Sequence, residues 1–418
     1  MPENGRTRVV VTGIGCVTPI GTGREGLWEG LHRGRSAVRG ITRFDASPFR
    51  TRIAAEIDGF DPADWIEARR LRRLDRYSAL AVAAASMALE DGRLDPGSMV
   101  ADRTAVQLGS ALGGVEFAEA QHEAYLAEGV RGVDPMLALT VFGGAASCNV
   151  AIEFGFTGPN ATNAMSCASG AIGVGRGFRL VRSGEADVAL AGGAEAPLSP
   201  LSFGAFAILR AMSTRNDDPA SASRPFDRDR DGFVMGEGAS ILVLEELGHA
   251  LRRDAPIYAE VCGFGTTNDA YHMTRPRPDG AQAARAMRLA LEDAGVGPSA
   301  VDHINAHGSS TQLNDPTEAG AIRHVHGERA HRIPISGTKG YYGHALGASG
   351  AIEAAIVSLA LRHDWLPPTL NLASADDACA DLELVDGSGR DYQAGYVLSN
   401  SFGFGGINAA LLFRRWEG

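Results

Sequence analysis

Short runs rich in Val, Ile and Ala alternate along the chain with longer stretches in which apolar residues recur every three or four positions. The short runs are typical of buried strands, and the longer stretches are typical of helices with one apolar face. The predicted strands are 9–13, 104–109, 188–193, 240–245, 257–263, 301–306, 333–337, 396–400 and 409–413. The predicted helices are 77–90, 170–181, 281–294 and 351–362. This alternation predicts an α/β fold built from layers of helices and sheet.

The chain also contains an internal repeat. The sequence Ala-Ser-Gly-Ala-Ile occurs at 168–172 and again at 348–352, each time at the start of a predicted helix. Each copy is followed by a predicted strand and a Gly-Gly pair, at 192–193 and 405–406. The repeat predicts two copies of one α/β unit, residues 1–255 and 256–418. A chance match is the alternative explanation in a chain with 53 glycines.

Composition excludes several classes of protein. The chain has 418 residues, and its 39 Lys and Arg against 50 Asp and Glu give a net charge of −11. This charge disfavours binding to nucleic acid or anionic lipid. No apolar run reaches the roughly 18 residues of a membrane span, and the N-terminus lacks a signal-peptide core, so we expect a cytoplasmic protein. Five scattered cysteines without a Cys-x-x-Cys pair disfavour disulfides and a thiolate zinc site.

Two local motifs suggest other sites, but neither is complete. Residues 227–232 read Asp-x-Asp-x-Asp-Gly, as at the start of a calcium loop. The twelfth position should then be Glu but is Gly238, so we expect residues 213–238 to form an ordered surface loop. The glycines at 13, 15 and 21 do not fit the G-x-G-x-x-G spacing of a dinucleotide-binding turn.

One lysine stands out because every other Lys-or-Arg position is Arg. Lys339 lies in Ser-Gly-Thr-Lys-Gly at 336–340. A site that accepts a compact ammonium and rejects a planar guanidinium would keep a lysine in this way. The alternative explanation is that this one lysine remains by chance.

Cys167 is a candidate nucleophile. It lies where a strand-like segment meets a predicted helix, among small residues that leave room for a substrate. The positive end of a helix dipole stabilises a thiolate, so this position predicts a lowered thiol pKa. The alternative interpretation is a buried cysteine that acts only as a small apolar side chain.

Two histidines have settings that strengthen the nucleophile interpretation. His307 follows a predicted strand in Asn-Ala-His-Gly-Ser-Ser-Thr, and His344 precedes a predicted helix in Gly-His-Ala-Leu-Gly-Ala, five residues after Lys339. Sites in α/β sheets are built at such element ends. We interpret the three nearby histidines at 324, 326 and 331 as a solvated cluster and not as metal ligands.

Taken together, these residues resemble a known family: the elongating β-ketoacyl-acyl-carrier-protein synthases of type II fatty-acid and polyketide systems, which are thiolase-fold condensing enzymes. The resemblance covers nearly the whole chain. It includes Val-Val-Val-Thr-Gly-Ile-Gly at 9–15, Ala-Gly-Gly-Ala-Glu at 191–195, Ser-Arg-Pro-Phe-Asp at 223–227 and Asn-Ser-Phe-Gly-Phe-Gly-Gly at 400–406. The Cys, the two His, the Lys and the C-terminal Phe-Gly-Phe-Gly-Gly occur in the family's order.

The resemblance implies a thiolase-like fold with two βαβαβαββ halves packed as a layered α/β/α/β/α core. It implies that Cys167 accepts an acyl group from the phosphopantetheine of an acyl carrier protein. A malonyl unit on a carrier then loses CO2, and the enolate attacks the acyl-cysteine while His307 and His344 stabilise the developing charge. No metal or redox cofactor is implied. The partners implied are the carrier protein and a second subunit, in a homodimer or in a heterodimer with a chain-length-factor-like homologue.

The resemblance also assigns supporting roles. Backbone N–H groups of Cys167 and Phe404 form the oxyanion hole, and Phe404, beside Phe402, gates the acyl pocket. Leu112 lines that pocket, and a carboxylate at Glu318 holds Lys339. Further supporting residues are Ser309, Thr311 and Asp315. The carrier docks on arginines, namely Arg69, Arg72, Arg73 and Arg210.

Two alternatives remain at this stage. A chain-length-factor-type partner subunit is catalytically silent and lacks the nucleophile, whereas Cys167 is present here. A CoA-dependent thiolase carries a second catalytic Cys near the C-terminal Gly-rich motif, where this chain has Phe-Gly-Phe at 402–404. The segment Gly-Tyr-Tyr at 340–342 departs from common fatty-acid and aromatic-polyketide members, so the pathway stays open.

Overall fold

The computed structural model describes residues 7–418. The strands are β1 Val9–Thr18, β2 Gly21–Thr22, β3 Val38–Gly40, β4 Ile53–Ala55, β5 Thr104–Gly109, β6 Asn160–Asn163, β7 Val188–Glu195, β8 Gly238–Glu246, β9 Ala259–Asn268, β10 His303–Asn305, β11 Ile335–Ser336, β12 Trp365–Leu366, β13 Arg390–Asp391, β14 Tyr396–Gly403 and β15 Ile407–Arg414. The helices are α1 Gly23–His32, α2 Ala68–Leu71, α3 Arg76–Asp91, α4 Val115–Glu128, α5 Leu137–Thr140, α6 Ala145–Phe154, α7 Ser169–Ser183, α8 Pro200–Ile208, α9 Leu247–Arg252, α10 Ala281–Ala294, α11 Asn314–His326, α12 Lys339–Tyr342 and α13 Ser349–His363.

The chain folds as two βαβαβαββ units, as the resemblance implies. The first unit runs β1-α3-β5-α6-β6-α7-β7-β8, and the second runs β9-α10-β10-α11-β11-α13-β14-β15. Their strand orders match, because the sheet reads β11-β10-β14-β15-β9 in one half and β6-β5-β7-β8-β1 in the other. The predicted thiolase-like fold is therefore confirmed. Residues 1–6 lie outside the described residues, and a domain boundary at 255 stays a prediction.

The two half-sheets are joined edge to edge. Strands β1 and β9 pair antiparallel, with Val9 opposite Val261 and Val11 opposite Ala259. All described strands of both halves except the β3–β4 and β12–β13 pairs thereby belong to one sheet.

Three apolar cores separate the layers. One lies between α3, α6 and the first half-sheet, and another lies between α10, α11 and the second half-sheet. The central core holds the repeat helices α7 and α13 between the two half-sheets. This arrangement gives the expected α/β/α/β/α layers.

The repeated pentapeptide lies where α7 and α13 meet. A Cβ added to Gly170 would lie 2.8 Å from the backbone nitrogen of Ala351, and one added to Gly350 would lie 2.8 Å from that of Ala171. The contacts are reciprocal, so each glycine lets the other helix approach closely. The repeat is thus a structural duplication and not a chance match.

The segment 213–238 is a loop, as expected, but only part of it lies at the surface. Phe226, Asp227 and Arg230 are buried. The Asp227 carboxylate accepts hydrogen bonds from the backbone N–H groups of Ala373 and Ser374. This carboxylate therefore joins two chain segments, and it has partners because an unpaired charge would be costly to bury.

Helices that fit the apolar period poorly were not predicted. The sequence of α4 shows no continuous apolar stripe, and accordingly none of its residues is fully buried. Within residues 7–418, no helix combines the length and apolar character needed to cross a bilayer.

Candidate active site

Cys167 lies at a sharp turn between β6 and α7. Ser166, just before it, has a positive φ of 50°, which is uncommon for a residue with a side chain. The side chain of Asn163 holds the turn, because its amide donates to the backbone oxygens of Leu108 and Ser169. Cys167 is 7% exposed, so its thiol meets solvent only through the cavity that it lines.

The pKa of the Cys167 thiol differs from the expectation. Burial raises it above its ordinary value, while the Ser166 hydroxyl, the Lys339 charge and the Phe404 N–H lower it. The predicted lowering was wrong, because desolvation of the buried sulfur outweighs the groups that favour the thiolate. The resting side chain is therefore a thiol and not a thiolate.

His307 follows β10, as predicted, and its backbone is fixed from behind by a carboxylate. The N–H groups of His307 and Gly308 donate to the two oxygens of Glu318 at 2.8 and 2.9 Å. The ring nitrogen Nδ1 of His307 lies 3.4 Å from the ammonium of Lys339. Glu318 therefore orients the His307 turn.

Lys339 is completely buried and is held by Glu353, not by Glu318. Its Nζ is paired with a Glu353 oxygen and donates to the backbone oxygen of His307 at 2.5 Å. The expected Lys339–Glu318 pair was wrong, because both Glu318 oxygens already accept backbone N–H groups. Burial raises the pKa of the Glu353 carboxyl, and the Lys339 charge opposes that shift.

His344 is oriented by main-chain and side-chain contacts. Its backbone N–H donates to the oxygen of Val234 at 2.7 Å, and its Nδ1 lies 2.8 Å from the Ser349 hydroxyl. The rings of His344 and His307 are 5.3 Å apart. With Nδ1 engaged in both rings, Nε2 is the nitrogen left for a substrate.

Both imidazoles are neutral at physiological pH. Burial and the Lys339 charge hold the pKa of His307 and of His344 well below the ordinary value near 6.5. A neutral imidazole whose Nδ1 faces an ammonium carries its proton on Nε2 and donates from there. His307 is thus set up as a hydrogen-bond donor.

The side chains of Cys167, His307 and His344 meet in one cavity of about 470 Å³. Its wall includes Cys167, His307, His344, Phe402 and Phe404. A Cβ at Gly403 would lie only 3.0 Å from the backbone nitrogen of Cys167, so glycine lets β14 approach Cys167 closely. The ring of Phe404 stacks on Phe206 with centroids 6.4 Å apart.

The hydroxyls of Ser309 and Thr311 also line the cavity and lie 2.9 Å from each other. Asp315 lies behind them, where it accepts the backbone N–H of Phe226. The guanidinium of buried Arg230 donates to the backbone oxygen of Thr311 at 2.9 Å. All three predicted supporting residues therefore lie at the site, although Asp315 does not reach the cavity wall.

The remaining predicted residues lie farther out. Leu112 does not line the open cavity but packs in the apolar cluster that contains Cys167. Arg210 lies at the cavity wall and is exposed. The other three docking arginines are exposed in and just after α2.

Sequence reasoning missed Glu353 and Ser349. Glu353 is the single charged residue in the buried stretch of α13, and that lone charge was a usable signal. Ser349 belongs to the repeated pentapeptide, but its contact with His344 depends on folding. His326, expected to be solvated, is buried, and burial lowers its pKa to about 4. Within residues 7–418 no cluster of three or more His, Cys, Asp or Glu side chains is placed to hold a metal ion.

Comparison with known proteins agrees with this geometry. Residues 6–250 match the N-terminal domain of β-ketoacyl synthases, and residues 258–373 match the C-terminal domain. The 3-oxoacyl-[acyl-carrier-protein] synthase 2 of Coxiella burnetii is 44% identical over 98% of this chain and 99% of its own.

Two solved structures are also similar. The ishigamide ketosynthase/chain length factor superposes with a TM-score of 0.93 at 38% identity, covering 99% of this chain and 100% of its own. A type II PKS acyl-carrier protein in complex with its ketosynthase bound to the hexaketide gives a TM-score of 0.90 at 35% identity, covering 98% and 100%. The chain therefore belongs to the β-ketoacyl synthase family.

Proposed function

We propose that this protein is a β-ketoacyl-acyl-carrier-protein synthase that joins an acyl group on Cys167 to a malonyl unit, with loss of CO2, in bacterial type II fatty-acid or polyketide chain elongation. The observation that carries the proposal is the meeting of Cys167 with two neutral imidazoles in one cavity. A nucleophile and two donors are the groups that this reaction requires.

In the first step, the Cys167 sulfur attacks the thioester carbonyl of an acyl carrier. A bond forms between Sγ and the acyl carbon, the bond to the phosphopantetheine sulfur breaks, and the thiol proton leaves with that sulfur. The backbone N–H groups of Cys167 and Phe404 stabilise the oxyanion. The close approach of Gly403 supports this role, because it brings the β14 backbone against Cys167.

In the second step, a malonyl carrier enters and loses CO2, and the electrons of the broken C–C bond form an enolate. His307 and His344 donate from Nε2 to the thioester oxygen that gains charge. The enolate carbon then attacks the acyl carbonyl, the Sγ–C bond breaks, and the departing Cys167 thiolate takes up a proton from solvent. Lys339 acts through His307 by keeping its Nε2 protonated.

We assign Phe404 as the gate between the two steps. Its ring lies on the cavity wall beside Phe206, and Gly405 and Gly406 follow it with φ of 83° and 74°. Glycine in this region of φ allows the loop to move where other residues would be strained. Leu112, on the apolar side of Cys167, then borders the space into which an acyl chain extends.

The partners we propose are an acyl carrier protein and a second ketosynthase-type subunit. The relative with a bound carrier and the relative with a chain length factor support both. On this chain, Arg69, Arg72, Arg73 and Arg210 offer exposed positive charge to an acidic carrier. We propose that no metal or redox cofactor takes part, because every step above is carried by side chains and backbone groups.

The decisive assay supplies an acyl carrier and malonyl carrier and measures CO2 release and 3-oxoacyl product. A silent partner subunit would give no product, and a thiolase would work with acyl-CoA without any carrier. Product formation that needs Cys167 and both carriers supports the proposal. Equal turnover with CoA substrates alone would contradict it.

A further inference from the structure

The sharp turn at Cys167 has a counterpart in the second half of the molecule. The repeat offset places Leu346 where Ser166 lies and Gly347 where Cys167 lies. Leu346 has a positive φ of 39°, like the 50° of Ser166, and each turn leads into its repeat helix. The molecule therefore contains two backbone turns of the same kind, but only one carries a nucleophile.

The second turn is filled by a buried carboxylate. Glu195 is the last residue of β7 and is 0% exposed. One oxygen accepts the backbone N–H of Gly347 at 3.0 Å and that of Ala111 at 2.5 Å. The other accepts the Leu112 N–H and the Ser110 hydroxyl, each at 3.1 Å.

The residue at the matching place in the other half has no side chain. Gly403 is the last residue of β14, as Glu195 is of β7, and both strands have eight residues. Gly403 lies against the nitrogen of Cys167, as Glu195 lies against that of Gly347. One turn is therefore closed by a carboxylate, and the other is left open beside the nucleophile.

We propose that Glu195 is a positioning residue that ties the turn at 110–113 to the turn at Gly347 and so fixes the acyl-side wall next to Cys167. Its four donors come from these two turns alone. Ala111 and Leu112 pack in the same apolar cluster as Cys167 and Leu346. A change in the hydrogen bonds to Glu195 therefore moves the wall on which an acyl chain lies. It leaves His307 and Lys339 in place.

Within the described part of the chain, from residue 7 onward, no cation hydrogen-bonds to this carboxylate, and its four polar donors hold it. Burial raises the pKa of Glu195 to about 7, and the four donors oppose that rise. Glutamine at this position has one acceptor oxygen in place of two. The Ser110 hydroxyl can turn and accept from the new amide, but the Leu112 N–H cannot, so Glu195→Gln removes the Leu112 contact. It also removes the charge that raises the pKa of the Cys167 thiol, an effect that acts on long and short acyl groups alike and so cancels in their ratio.

This inference rests on the proposed function, and its test has a part that needs no turnover. In Glu195→Gln we expect amide hydrogen exchange at 110–113 to accelerate by at least about tenfold. We also expect the ratio of kcat/KM for long over short acyl carriers to change by at least about fivefold. Malonyl decarboxylation, which uses His307 and His344, should stay within about twofold.

Glu245→Gln is the matched control. Glu245 is also 0% exposed, but it lies at the opposite end of the β7–β8 ladder from Glu195. Glu245 pairs with Val188 at one end, and Glu195 pairs with Gly238 at the other. The separation is about 23 Å at roughly 3.3 Å per residue. This variant should melt at a lower temperature without changing the chain-length ratio.

A second variant, Glu195→Ala, adds a chemical rescue. Formate carries the carboxylate that the four donors bind, so adding it should restore the chain-length ratio toward that of the wild type. If Glu195→Ala does not fold, Glu195→Gln alone decides. Unchanged exchange and an unchanged ratio in folded Glu195→Gln, or an equal change in Glu245→Gln, would overturn the inference. A wild-type protein that makes no 3-oxoacyl product would overturn the proposed function instead and leave the exchange result standing.

Discussion

The ammonium of Lys339 donates to the backbone oxygen of His307 at 2.5 Å while it is paired with Glu353. The only lysine of the chain thus links a buried carboxylate to the turn that carries a site histidine. The Glu318 carboxylate accepts hydrogen bonds from the backbone N–H groups of His307 and Gly308 in the same turn. The position of His307 is therefore set from two sides by charged groups that never reach the cavity.

The first prediction concerns the charge at Lys339. Lys339→Arg keeps the charge but puts a larger planar group where Nζ meets a Glu353 oxygen and the backbone oxygen and Nδ1 of His307. We expect a folded protein whose condensation rate falls by at least about tenfold, or about 1.4 kcal/mol in the barrier. Steady-state condensation beside a thermal melt is the measurement. Near-normal turnover would show that the single lysine survived by chance, and loss of folding would make its role structural.

The second prediction separates acyl transfer from decarboxylation. His307→Ala and His344→Ala should each load an acyl group on Cys167 but release CO2 from malonyl carrier about 10² to 10³ times more slowly, the usual loss for one oxyanion donor. Mass spectrometry follows loading, and a CO2 assay follows decarboxylation. His324→Ala, at an exposed histidine, is the control. Full decarboxylation in both site variants would refute the assignment.

The third prediction is a pH profile. Because the pKa values of His307 and His344 lie well below 6.5, both rings stay neutral as pH falls through 6.5 and become protonated only at lower pH. The kcat for malonyl decarboxylation should therefore be nearly flat from about pH 8 to pH 6. A loss of activity with an apparent pKa near 6.5 would contradict the neutral donors.

The fourth prediction concerns carrier docking. Reversing charge at Arg69 and Arg72 should raise KM for a carrier-bound acyl group and weaken its salt dependence, because electrostatic attraction steers the encounter. Activity on a small acyl thioester should be unchanged. Arg35→Glu, at another exposed arginine, is the control. Equal losses on both substrates would make the arginines a merely structural surface.

The regular part of the fold could be predicted because its pattern is local. Strand 104–109 and helix 281–294 have the bounds that were predicted. The spacing of apolar residues that distinguishes a strand from a helix can be read from residues close together in the sequence. The partner of Lys339 could not be predicted from the sequence. Glu353 lies 14 residues away and contacts the lysine only when α12 and α13 pack together. Glu318, at the start of α11, was the wrong choice because its oxygens are taken by backbone groups.

The thiol pKa was wrong for a related reason. Sequence shows that Cys167 precedes a helix, but it does not show how completely the sulfur is buried. Burial disfavours the thiolate more than the neighbouring donors and Lys339 favour it. The sequence correctly places Cys167 just before a helix, and only the packing around its sulfur determines the direction of the pKa shift.

The most direct test of the account is the mass of the intact protein after incubation with an acyl carrier protein. We predict that the wild type gains the mass of one acyl group, that the peptide containing Cys167 carries it, and that Cys167→Ala gains nothing while it keeps its fold. The adduct should disappear when malonyl carrier is added, as 3-oxoacyl product forms. An adduct that persists in Cys167→Ala, or a wild-type protein that never becomes acylated, would contradict the central claim.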